Sequence, residues 1–208
     1  MIPNALFNPR ILVVSIGNPL PAYSSLHSAG HFAVNAAVRH VPEQPPFSGI
    51  KFGGQRCLVS HGPLFTFVQS PTYMNVSGPF VHKAWRETLT TAKQDMSGLV
   101  VVHDELEKDF LDVRPIKWDA SHRGHNGIKS IKEQDLAGKF SAALYKRIAI
   151  GIGRPESRLS NDVADYVLKP LSQDALNDLQ DTASVRLVQE LLTLETQWRD
   201  RWLKSLGK

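Results

Sequence analysis

Ile11-Leu12-Val13-Val14-Ser15-Ile16 runs without a charge into Gly17-Asn18-Pro19. A short, nearly continuous apolar run closed by Gly, Asn and Pro reads as a buried strand ending in a turn. Gly98-Leu99-Val100-Val101-Val102 repeats the pattern before His103-Asp104-Glu105, and Arg147 to Ile152 repeats it around Gly151 and Gly153. Strands of this kind need cover on both faces, which helices supply in α/β folds.

Helical spacing fills the intervals. Ser25 to His40 places Phe32, Ala33, Ala36 and Ala37 on one side, and Asn75 to Lys93 and His125 to Gln134 also read as helices. Cys57–Ser60 and Leu64–Val68 read as a hairpin through His61-Gly62-Pro63, Asp112–Lys117 as another strand, and the Pro- and Gly-rich Val41–Gly54 as loop. From Leu171 to Leu203 the apolar positions predict one long or two consecutive helices. The expected architecture is a single three-layer α/β domain over 1–208. Its sheet is twisted, mixed and mostly parallel, with helices on both faces, and 171–208 forms a helical carboxy-terminal segment.

The 208 residues are 42% hydrophobic and 21% charged, an ordinary globular balance. No apolar run approaches the roughly 20 residues of a membrane-spanning helix. A lone cysteine, Cys57, offers no internal disulfide and no structural zinc site, which fits a reducing compartment. MIPNALFNPR at the start shows neither a secretory signal nor an Arg-rich transit peptide, so a cytoplasmic or mitochondrial location is expected, cytoplasmic by preference. Net charge is +4, but Arg114 to Arg158 holds ten basic and four acidic residues, leaving the rest at −2. A local basic zone suits a polyanion partner; its plainer reading is a solvated face. A monomer is expected, because no large apolar stripe stands out.

In folds of this class ligands bind beyond the carboxyl ends of the strands. That rule selects the Asn18 turn, the His103-Asp104-Glu105 stretch and the glycines after Arg147. His27 opens the first helix pattern just past the Asn18 turn. It can serve as a general base if a carboxylate fixes its tautomer, and Asp104 ends a buried strand of the same sheet. The plain alternative is a capping histidine and a capping aspartate that never meet. Asn18, Asn75 and Asn126 each sit in a turn, where Asn is common for local reasons. Brought to one crevice, they would supply neutral donors and acceptors for a peptide group or an oxyanion.

Arg123-Gly124-His125-Asn126-Gly127 opens a helix, a place where phosphate can bind free N–H groups, with Lys117, Arg123 and Lys129 alongside. Dinucleotide and P-loop glycine patterns are absent, so no cofactor is expected. His103 precedes Asp104 in a strand and should face the opposite side as a structural residue. His61, His82 and His122 lack metal-ligand spacing, and no metal site is expected.

Six stretches together resemble the bacterial-type peptidyl-tRNA hydrolase family, in its order and near its spacing, from about Ile11 to Leu168. They are Ile16-Gly17-Asn18-Pro19, His27-Ser28-Ala29-Gly30, Pro71 to Gly78, His103-Asp104-Glu105-Leu106, Gly124-His125-Asn126-Gly127 and Gly151-Ile152-Gly153-Arg154-Pro155. The resemblance implies one α/β domain that hydrolyses the ester between a peptide and the 3′-terminal ribose of tRNA. It makes His27 the catalytic histidine and Asp104 the carboxylate that orients it. Asn18 and Asn75 fall on amides that position substrate or water. Tyr73, Met74, His125 and Asn126 fall in the substrate pocket, and Tyr23, between Asn18 and His27, joins that set. Lys117 falls on a lysine that clamps tRNA phosphate, with Arg123 and Lys129 as further tRNA contacts. The implied partner is peptidyl-tRNA, with neither membrane nor metal.

Departures from the family pattern are local. Leu20 replaces a glycine, and the interval from Asn18 to His27 is one residue short. Asp119-Ala120-Ser121-His122-Arg123 replaces a glycine-rich stretch, which should stiffen that loop. The segment after Pro170 is longer than in compact bacterial members and carries Trp198 and Trp202. They fit a divergent, fungal-like eukaryotic member. Two rival functions are a non-catalytic RNA-binding homologue, acting in splicing or at the ribosome, and a flavodoxin-like nucleotide binder. The first should have lost the His27, Asp104 and Asn75 set, and the second needs a phosphate loop after the first strand.

Overall fold

The computed structural model describes residues 10–157 and 159–206. The opening segment read for targeting signals, Arg158 of the basic zone and the last two positions of the 171–208 segment lie outside them.

Seven strands form one sheet: β1 Arg10–Ser15, β2 Ser48–Phe52, β3 Gln55–His61, β4 Phe65–Gln69, β5 Ser97–Glu105, β6 Val113–Ile116 and β7 Leu144–Gly151. Their order is β2-β3-β4-β1-β5-β7-β6. The middle strands β4, β1, β5 and β7 run parallel. The margins are antiparallel, through the β2-β3-β4 meander and β6 on β7. The parallel part is therefore the centre of the sheet, where both faces are covered.

Alternation along the buried strands separates two cores. Ile11, Val13, Val100 and Val102 pack on one face with α1 (Ala29–Ala37) and the long α7 (Ser184–Leu206). Leu12, Val14, Leu99 and Val101 pack on the other with α2 (Ser77–Thr91) and α3 (Asn126–Lys132). Burying a side chain of this size is worth about 1.5–3 kcal/mol, so β1 and β5, closed on both faces, anchor the three layers. The crossing of α7 depends on one glycine. A Cβ at Gly98 would lie 2.0 Å from the Trp198 ring, so the indole is seated against bare backbone at the start of β5.

Two differences from the sequence reading have physical causes. Val41–Gly54 contains β2, an edge strand in which only Phe52 is buried, so the alternation that marks a strand is missing. α5 (Ser160–Val167) was not anticipated, because Val167 alone among its residues is fully buried. The Leu171–Leu203 pattern resolves into α6 (Gln173–Asp178), a π turn at Leu179–Ala183 and α7. A four-residue helix, α4 (Leu136–Lys139), completes the set. Among the described residues, no helix is long and apolar enough to cross a membrane.

Candidate active site

The carboxyl ends of β1, β5 and β7 open into a pocket of about 680 Å³. Its wall brings together Asn18, His27, Tyr73, Met74, Asn75, Asp104, Arg123, His125 and Asn126 from segments more than a hundred residues apart. Ile16, continuing β1, bonds the Val102 carbonyl, which sets the Asn18 turn beside the end of β5. A single 3-10 turn, Leu26–Ser28, then presents His27 at the entry to α1.

Asp104 organises the centre. It is 2% exposed, and both its oxygens lie 2.9 Å from His27 Nδ1. His125 Nε2 lies 3.0 Å from Oδ1. At the other edge of the His125 ring, Nδ1 accepts the Ile128 N–H at 3.3 Å, capping α3. Nδ1 is thus an acceptor, and the neutral ring carries its proton on Nε2 and donates it to Asp104. His27 donates from Nδ1, so its Nε2 is left as a lone pair beside the pocket.

The electrostatics follow from that arrangement. Burial opposes a charged His27, but the Asp104 charge and its hydrogen bond outweigh it and raise the imidazole above its ordinary 6.5. Burial also opposes ionisation of Asp104, and His27 and His125 overcome it, holding the carboxyl well below its usual range. An ionised carboxylate and a neutral base with its free nitrogen outward is the state general-base chemistry requires.

The amides are fixed to different degrees. Asn18 is buried, and its Oδ1 accepts the Met74 N–H at 3.0 Å, which turns its amide nitrogen outward as a donor. Asn75 lies in the 3-10 turn Met74–Val76 and is exposed, as is Asn126, the first residue of α3. Tyr73 is 53% exposed at the rim, whereas Met74 is buried.

Several expectations change. Tyr23 does not line this pocket: its ring stacks on His31, its hydroxyl bonds Gln69, and it faces a second cavity. The start of α3 is not a bare phosphate site, because the His125 side chain occupies its cap. Lys117 and Lys129 are exposed but stand outside the pocket wall, with Arg123 the one member of that trio in it. The basic zone is partly spent on structure. Arg147 donates to the carbonyls of Lys117 and Ala120 at 2.9–3.3 Å, and Lys132 bonds those of Asp119 and Ala120. The loop that replaces a glycine-rich stretch is thereby pinned from beneath, and Arg123 and Gly124 close it with positive φ angles of 47° and 85°.

His103 does not leave the site as its strand position suggested: Nδ1 donates to the Asp104 backbone carbonyl at 2.6 Å, and the buried ring packs edge-on against His125, with centroids 5.1 Å apart. The sequence reading gave no role to Arg154, paired with Glu107, or to the α5 wall through Val163 and Val167. Arg154 follows the Gly151 and Gly153 turn, and that position beyond a strand end was the available signal. His27, Asp104 and His125 bring three potential ligand atoms within 4.8 Å of one another. Both ring nitrogens in that set are already donors to the carboxylate, so a cation would have to displace two hydrogen bonds.

Comparison with known proteins gives a consistent result. Residues 12–201 match the family described as peptidyl-tRNA hydrolase. A protein of Sorangium cellulosum named peptidyl-tRNA hydrolase is 36% identical over 166 residues, 76% of this chain and 66% of that protein. One of Geobacter sulfurreducens with the same name is 34% identical over 188 residues, 88% of this chain and 89% of that one. Among solved structures, that of a mutant peptidyl-tRNA hydrolase from Acinetobacter baumannii shares the fold with a TM-score of 0.69. It is 22% identical and the match covers 95% of this chain and 94% of that one.

Proposed function

The chain belongs to the peptidyl-tRNA hydrolase family and hydrolyses the ester that joins a peptide to tRNA, and from that premise we propose that His27 is its general base and Asp104 the carboxylate that orients it. The carrying observation is the contact of His27 Nδ1 with both oxygens of buried Asp104, beside a pocket lined by amides. His27 Nε2 takes a proton from water as the oxygen attacks the ester carbonyl. The outward amide nitrogen of Asn18 and the amide of Asn75 donate to the oxyanion and the water. Collapse of the tetrahedral intermediate expels the ribose oxygen, which the imidazolium reprotonates, leaving free tRNA and an N-blocked peptide. An ester needs only a placed water, a base near neutral pKa and oxyanion donors, so the reaction is independent of metal.

Asn126 holds the first peptide group of the substrate, with the His125 ring lining the pocket beside it. A free ammonium there leaves polar groups unpaired at about 1–3 kcal/mol each, which disfavours aminoacyl-tRNA. Lys117, Arg123 and Lys129 contact tRNA phosphates around the pinned loop. The 171–208 segment belongs to the same unit and the chain acts as a monomer, in the cytoplasm by preference over the mitochondrion.

Release of blocked amino acid from N-acetyl-aminoacyl-tRNA, with EDTA present, tests the reading. Wild type should cleave it, His27→Ala should lose at least the 10²–10⁴-fold of general-base catalysis, and unblocked aminoacyl-tRNA should persist. Binding of tRNA without turnover would point instead to the non-catalytic RNA factor. Inhibition by EDTA would remove the metal-free mechanism.

A further inference from the structure

A second cavity, of about 280 Å³, lies across Asn18 from the catalytic pocket, and Asn18 lines both. Its polar lining is built rather than incidental. His31 is 1% and Gln69 5% exposed, and Gln69 donates to the His31 carbonyl at 3.2 Å while accepting from the Tyr23 hydroxyl. His31 is bonded through Nδ1 to Ser15 Oγ at 2.8 Å, which leaves Nε2 as its remaining polar atom. Arg56 and Leu58 of β3 form the outer wall.

Size, polarity and position each narrow the occupant. The volume falls below the range of about 300–1,000 Å³ typical of a pocket that holds a whole ligand, so an annex to the neighbouring site fits better. An imidazole held neutral, a primary amide and a phenol match peptide groups, and Arg56 is the one cation in the lining. Sheet order supplies the direction. The catalytic pocket sits over β1, β5 and β7, Lys117 directly follows edge strand β6, and this cavity lies over β1, β4 and β3. A substrate whose tRNA lies on the β7–β6 side therefore extends its other end towards β4 and β3.

We infer that this cavity is a distal subsite for the peptidyl chain, accepting peptide groups beyond the residue esterified to tRNA, an assignment that rests on the hydrolase reading above. Gln69 and Tyr23 meet the peptide amides, Arg56 meets a carbonyl oxygen at the mouth, and Leu58 packs on the intervening side chain. Longer peptides then gain binding energy that a single blocked amino acid cannot use.

The test compares kcat/KM for N-acetyl-aminoacyl-tRNA and N-acetyl-tripeptidyl-tRNA on the same tRNA. In wild type the longer substrate should be favoured about 5-fold, the worth of one net hydrogen bond. Leu58→Trp, which fills the cavity from a part-exposed position, and Arg56→Ala should each bring that ratio towards one. A wild-type ratio near one, or a preference unchanged in both variants, overturns the subsite. So does a weaker grip of Arg56→Ala on deacylated tRNA with a shallower salt dependence, which would give the cavity to the nucleic acid. If wild type cleaves neither substrate, the hydrolase reading falls and the subsite with it; cleavage without length dependence removes the subsite alone.

Discussion

Replacing Asp104 by Asn tests the catalytic centre most sharply, because the two side chains are nearly isosteric and differ in charge and in one hydrogen-bonding edge. Asp104 accepts from His27 Nδ1 and from His125 Nε2. An asparagine can accept at its oxygen but must present an N–H₂ group to the other ring. If the amide faces His27, the imidazole moves its proton to Nε2 and ceases to be a base towards the pocket. That loss is the full general-base contribution of about 10²–10⁴-fold, or about 3–5.5 kcal/mol. If the amide faces His125 instead, Nε2–H of that ring is left unpaired at about 1–3 kcal/mol, and the pocket wall it forms loosens.

The same change moves the pH profile in a defined direction. With Asp104 present, the His27 imidazole is raised above its ordinary 6.5, and kcat/KM rises with pH as the ring becomes neutral. Without the carboxylate, burial is the dominant influence and pulls the imidazole down. The acid limb of Asp104→Asn should therefore fall below pH 6.5 while the plateau drops. Steady-state rates on N-acetyl-aminoacyl-tRNA between pH 5 and 9, under conditions where tRNA binding is constant, measure both. A plateau within tenfold of wild type, or an acid limb that stays in place, would refute the assignment of Asp104 as the group that orients and charges His27.

Three further outcomes are expected. Removing the side chains of Lys117, Arg123 and Lys129 together should reduce the log–log salt dependence of tRNA binding by about 2, at about 0.7 for each contact with single-stranded ends, and an unchanged slope would show that these groups do not meet phosphate. His31 and His103 are both lowered by burial to about 3, so each contributes stability that is full above pH 6.5 and lost as pH falls towards 3. Urea unfolding should then lose roughly 2–3 kcal/mol between pH 5.5 and 4.5, a loss that a flat profile would contradict; the raised His27 adds no slope there, because its contribution is complete below 6.5. Trp198→Ala should cost about 3–5 kcal/mol of stability while kcat/KM per folded molecule stays within about twofold, and a cost below 1 kcal/mol would show that the seat on Gly98 does not hold α7.

Local signals carried much of the molecule. The apolar runs at Ile11, Gly98 and Arg147 place three central strands, and the Gly17-Asn18-Pro19 turn and the residues after Val102 place two sides of the pocket, because burial on both faces and turn chemistry are written within a few residues. Elements whose side chains mostly meet solvent left no such trace, which is why β2 and α5 emerge only in three dimensions. Residue type and chain order sufficed to nominate His27 and Asp104. Tertiary structure alone decided that they meet across 77 positions, that His125 shares the same carboxylate, and that Tyr23 turns to another cavity. It also decided that Arg147 serves the loop beneath the site. Those outcomes depend on strand order and on which side of a strand end each side chain leaves, and no sequence window contains both partners of such a contact.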